Sequence, residues 1–134
     1  MKLFSTLVFF LFGSLLFTAC SASAPATINL APVESLPPEI QQSPEYVRVG
    51  YQFALANPEP LKNVPCTCGC QALGHKNNYA CYVKSNNADG TVTFDDHARG
   101  CGVCLDITHD VMRMLGEGKS PASMRPYIIR QYTR

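Results

Sequence analysis

The chain has almost no net charge: 11 Lys and Arg against 10 Asp and Glu leave +1 over 134 residues. That balance supplies no field to hold nucleic acid or a strongly acidic partner. A long uninterrupted apolar run is also missing. The stretch from Leu3 to Phe17 is broken by Ser5, Thr6, Gly13 and Ser14, short of the roughly 20 apolar residues that a permanent spanning helix takes. Internal repeats are absent, which argues against a solenoid or a tandem array. No βαβ pattern accompanies the cysteines, and that argues against a thioredoxin-like redox enzyme.

What is there begins with Lys2, the apolar core Leu3–Phe17 and small residues before a break, the organisation of an export signal. The ending Phe17-Thr18-Ala19-Cys20 resembles a bacterial lipoprotein signal, with phenylalanine where leucine is more usual. On that reading residues 1–19 are removed and Cys20 is the lipid attachment site. An ordinary secretory signal cut near Ala22-Ser23-Ala24 is the alternative. Loss of Lys2 takes the net charge from +1 to zero (1 − 1). Residues 20–42, with Pro25, Pro32, Pro37 and Pro38, carry no helical or alternating apolar pattern and are expected to form an extended tether. Residues 43–134 suffice for one small cysteine-rich domain, a size at which a metal or disulfides commonly supplement the core.

The domain is expected to be mainly α, with about three helices and a small β-hairpin. Ser43-Pro44 is a capping pair, and Tyr46, Val49 and Phe53 recur at helical spacing until Asn57-Pro58 stops the helix. Tyr79 to Val83 and Thr91 to Phe94 read as hairpin strands. Cys104, Ile107, Val111 and Met114 form one stripe of a second helix beginning near Cys101 and ending at Gly116 or Gly118. Ser120-Pro121 opens the last helix, in which Pro126 makes a kink or marks the true start. Tyr46, Phe53, Met112 and Met114 are assigned to the core by spacing alone.

The chemistry lies in the cysteines. Pro65-Cys66-Thr67-Cys68-Gly69-Cys70 places three thiols at alternate positions, and Cys81, Cys101 and Cys104 follow. Strand geometry would put the first three sulfurs on one side, whereas Gly69 allows the loop to fold back so that they converge. Cys101 and Cys104, at i and i+3, share a face of a first helical turn, where the positive end of the helix dipole favours thiolate. His75 and His97 each lie within five residues of a cysteine group, and mixed sulfur and nitrogen donors suit zinc and are acceptable to copper. His109 is expected to be solvated, and Asp95 and Asp96 to form a cap or turn, the alternative being that they accept a hydrogen bond from His97 and orient it.

With Gly74-His75-Lys76, Asp95-Asp96-His97-Ala98-Arg99-Gly100-Cys101-Gly102-Val103-Cys104, Asp106-Ile107, Asp110-Val111 and Gly118-Lys119-Ser120, the CxCxC segment resembles the bacterial family named for its PCYCGC motif. The resemblance covers nearly the whole domain. It departs at Thr67, where the motif has tyrosine, and it implies a lipoprotein of uncharacterised function.

The residues favour a membrane-anchored, exported protein that binds zinc or cuprous copper through Cys66, Cys68, Cys70, Cys81, Cys101, Cys104, His75 and His97, and holds, buffers or passes it to a protein partner. The role leans towards non-enzymatic. Two alternatives stay open: a disulfide-stapled domain, and a thiol redox protein with Cys101 as nucleophile and Cys104 as resolving thiol.

Overall fold

The computed structural model describes residues 27–133. The expected signal 1–19, Cys20 and the start of the tether lie outside the described residues. Within them, no helix is long and apolar enough to cross a membrane.

Six helices and one hairpin form the described domain, mainly α as the sequence predicts. The helices are α1 (Pro38–Gln41), α2 (Glu45–Ala56), α3 (Pro58–Asn63), α4 (His97–Gly100), α5 (Gly102–Gly116) and α6 (Pro121–Tyr132). Strands β1 (Val83–Asn86) and β2 (Val92–Phe94) pair antiparallel, with Val83 opposite Phe94 and Asn86 opposite Val92. The long helices α2, α5 and α6 are the three that the sequence predicts, the first two from periodicity and the last from its Ser120-Pro121 start. Two of the short ones were hidden by proline: Pro58 ends α2 and also opens α3, and Pro38 opens α1, because a fixed φ suits a first helical turn; α4, a single turn of four residues, is too short to show a period.

Helices α2 and α5 pack against each other over Tyr51, Phe53, Ala54, Ile107 and Val111, with Leu61 of α3 and Met124 and Ile128 of α6 completing the core. Each large apolar side chain buried there contributes about 1.5–3 kcal/mol. The stripe Cys104, Ile107, Val111 and Met114 is buried along its length. Gly50 allows the close approach of α2, since a Cβ there would lie 3.2 Å from Leu105 Cδ2. Ser120 caps α6 by accepting from Ser123 N, and the helix runs through Pro126.

Four expectations are corrected. The domain starts before residue 43: Leu36 (3% exposed) and Ile40 (2%) are core residues, and Gln52 Nε2 donates to Ala31 O at 2.7 Å. The apolar residues of 31–42 are too scattered among prolines to show a period, yet Leu36 and Ile40, with Val33 beside them, dock the segment. Ser43 does not cap α2; Pro44 holds that position, while Ser43 Oγ donates to Glu39 O. Tyr46 is 46% exposed rather than core, its hydroxyl donating to Asp106 Oδ1 at 2.7 Å. His109 is not freely solvated, because its ring stacks on Tyr46 at 3.8 Å between centroids.

Candidate metal centre

The loop after α3 carries Cys66 and Cys68 and then reverses at Gly69, whose φ of 88° lies in the left-handed region that glycine adopts without strain. Cys70 begins the short 3₁₀ turn Cys70–Leu73 that follows. Cys81 closes a second 3₁₀ turn, Asn78–Cys81, instead of lying on the hairpin as expected. Asn77 Oδ1 accepts from Ala80 N and caps that turn, so the β-prone run Tyr79 to Val83 enters its strand only at Val83. Cys101 is the N-cap of α5, and Cys104 sits in its first turn. His97 opens α4.

These elements bring all six sulfurs of the domain to one end of the core. Four of them close a ring: Cys66 to Cys68 at 3.2 Å, Cys68 to Cys104 at 3.6 Å, Cys104 to Cys81 at 3.2 Å and Cys81 to Cys66 at 3.5 Å. His97 Nε2 lies 3.5 Å from Cys68 Sγ and 2.9 Å from Cys70 Sγ. The six cysteines are close but not joined in disulfides. Two groups have the spacing of a metal site, Cys68, His97, Cys101 and Cys104, and Cys66, Cys81 and Cys104, with the ligand atoms of each group within 4.8 Å of one another. Sulfurs bound to one metal ion at about 2.3 Å stand about 3.8 Å apart in a tetrahedron; the 3.2–3.6 Å contacts of the ring are a little tighter, and small outward shifts of the side chains would admit an ion.

The electrostatics separate the thiols. Burial pushes Cys66 up to about 12. Burial also opposes ionisation of Cys68, but hydrogen bonding from Cys70, Cys66 and His97 outweighs it and lowers Cys68 to about 5. Cys70 is raised to about 12 by its hydrogen bond to Cys68 and by burial. Contact with Cys81, and then burial, raise Cys104 strongly. Crowded thiols oppose one another's ionisation, and a bound cation would relieve that opposition.

His75 is placed one layer behind the cluster. Its ring meets that of His97 edge-on at 4.9 Å, its Nε2 pairs with Asp95 Oδ2 at 3.4 Å, and its buried Nδ1 has no partner. Asp95 Oδ1 accepts from His97 N at 2.8 Å. Asp95 therefore touches both histidines, while Asp96 pairs with Arg99 on the surface. Such outer contacts fix ligand orientation.

Sequence reasoning missed a buried polar knot beneath the sulfurs. Tyr82 Oη donates to Cys104 O at 3.0 Å, Asn78 Nδ2 donates to Thr108 Oγ1 at 2.6 Å, and Thr108 Oγ1 lies 2.7 Å from Tyr82 Oη. It ties the 3₁₀ turn bearing Cys81 to the helix bearing Cys104. The signal available was spacing: Thr108 follows Cys104 by four and so shares its helix face. Beside the loop, an open groove of about 890 Å³ is lined by Cys66, Cys68, Val103, Asp106, Arg125 and Ile129 among others.

Fold and site together define a small helical domain built around a cysteine and histidine cluster able to hold a metal ion. The chain belongs to the family described as proteins of unknown function with a PCYCGC motif, which it matches over residues 19–134. No curated protein and no solved structure matches it.

Proposed function

We propose that this protein is an exported lipoprotein that binds a thiophilic ion, zinc or cuprous copper, and holds, buffers or passes it at the membrane surface without catalysing a reaction. The observation that carries the reading is the ring of four sulfurs at 3.2–3.6 Å with the His97 imidazole against its open side. Unpaired thiols buried this densely gain from a shared cation, and thiolate with imidazole donors select zinc or copper over magnesium or calcium. Cys68, Cys70 and Cys101 are half-buried and the groove opens beside Cys66 and Cys68, which supports exchange of the ion with a protein partner. A Cys101/Cys104 exchange pair is disfavoured because Cys104 is fully buried and its sulfur contacts Cys81 and Cys68.

Elemental analysis with thiol titration of the full chain, purified without chelator or reductant, tests the binding. Zinc or copper should copurify, and be lost when Cys68 and Cys104 are replaced by serine. Metal-free protein with three disulfides would reject it. Anchoring is tested separately: Cys20→Ala should leave the membrane fraction or stay unprocessed, and two acyl chains are expected on Cys20 because one binds membranes only marginally.

A further inference from the structure

We infer that the cluster is a site for two ions, bridged by the sulfur of Cys104, with an inner compartment of Cys66, Cys81 and Cys104 and an outer one of Cys68, His97, Cys101 and Cys104. This rests on the metal-binding reading above and deepens it.

The count of donors is the first argument. The two groups together offer six residues, and Cys104 is the member they have in common. Cys70 adds a further sulfur 2.9 Å from His97 Nε2. A single ion in the outer group, which has the four donors of a closed site, leaves Cys66 and Cys81 unused, and a single ion in the three-sulfur inner group strands Cys68, His97 and Cys101. Unused thiols at Cys66 and Cys81 are hard to account for as packing alone, because their sulfurs lie 3.5 Å apart and each contacts a second sulfur of the cluster.

Position is the second argument. Cys104 stands between the groups, 3.2 Å from Cys81 on one side and 3.6 Å from Cys68 on the other. A thiolate has more than one lone pair and can bridge two soft cations. A shared sulfur also reduces the charge the core must hold, since two ions then need fewer thiolates than two separate sites would.

The compartments differ in chemistry. The inner one is all sulfur, and each of its residues is buried. The outer one mixes sulfur with an imidazole, and Cys68, His97 and Cys101 are half-buried. The inner ion is therefore the retained one and the outer ion the exchangeable one.

The test loads the reduced full chain, in detergent and without oxygen, with Zn(II) for native mass spectrometry and with Cd(II) for cadmium NMR. Wild type should take two ions, and its two cadmium resonances should be scalar-coupled through the shared sulfur. Cys81→Ser should keep one ion, in the outer compartment, and Cys101→Ser should keep one, in the inner. A chelator should remove one ion from wild type well before the other. One ion in wild type, lost in both variants, would overturn the two-ion site while leaving metal binding intact. Two uncoupled resonances would overturn the bridge. Absence of any bound ion would remove both this inference and the reading beneath it.

Discussion

Asp95 holds both histidines of the cluster end: one carboxylate oxygen accepts from His97 N at 2.8 Å and the other lies 3.4 Å from His75 Nε2. The backbone of Asp95 is fixed in turn, its carbonyl accepting from Tyr51 Oη at 2.8 Å and its N–H donating to Tyr82 O at 2.9 Å. The position of the one imidazole that faces the sulfurs thus traces back to core tyrosines of α2 and of the segment before β1.

Asp95→Asn should weaken metal binding without removing a ligand. The amide keeps the shape but loses the charge that orients His75 against His97. A loss of about 10–100-fold in affinity is expected, as for other outer contacts of metal ligands. Competition with a chromogenic chelator measures it, and affinity equal to wild type would show that Asp95 is only a turn residue.

Gly69→Ala should act through the backbone. The residue sits at φ 88° with open space around its Cβ position, so the cost is the left-handed conformation itself, roughly 1–2 kcal/mol. Because Gly69 lies between Cys68 and Cys70, relaxation of that strain pulls the loop away from His97. Urea unfolding should show the modest loss of stability, and chelator competition a disproportionate loss of affinity.

Thr108→Val separates packing from ligation. It removes the hydroxyl between Asn78, Tyr82 and the Cys104 carbonyl, leaving Asn78 Nδ2 with only its longer 3.3 Å bond to Cys104 O. Stability should fall by about 1–3 kcal/mol, read as a lower unfolding midpoint of the metal-free chain, while the number of ions bound stays unchanged.

Binding should release protons, and affinity should rise with pH. Cys66 and Cys70 are raised to about 12 by burial and by the hydrogen bond to Cys68 respectively, so both are thiols at neutral pH in the metal-free chain. An ion that takes them as thiolates displaces their protons, and lowering the pH opposes it. Calorimetry in buffers of different ionisation enthalpy reads the release directly; enthalpies independent of buffer would mean that neither thiol is a ligand.

How far the sequence revealed the molecule depended on how many residues carried each signal. Helices α2 and α5 were legible because a 3.6-residue period runs over about three turns or more in each, α6 because Ser120-Pro121 is a start signal, and the gathering of cysteines followed from where the first two begin and end. Tyr46 and Phe53 looked equivalent on that period, yet Phe53 is buried and Tyr46 lies at the edge of the stripe, hydrogen-bonded to Asp106. His75 and His97 were likewise indistinguishable, each being a histidine near cysteines. Only the fold shows that Asp95, twenty residues beyond His75, draws that ring behind its neighbour.

The segment before residue 43 shows the same limit and gives a last prediction. Its composition resembles a linker, and a few apolar residues scattered among prolines give no period. Prolines, however, lower the entropy lost on docking, so Leu36 and Ile40 can be held against the core by α1 and the turn before it. Ile40→Ala should therefore destabilise the domain by about 2–5 kcal/mol, as in a true core position, whereas a residue on a free tether would give a change near zero. Thermal unfolding of the full chain and its Ile40→Ala variant decides between them, and Glu39→Ala, exposed one position away, is the control that should leave the midpoint almost unmoved.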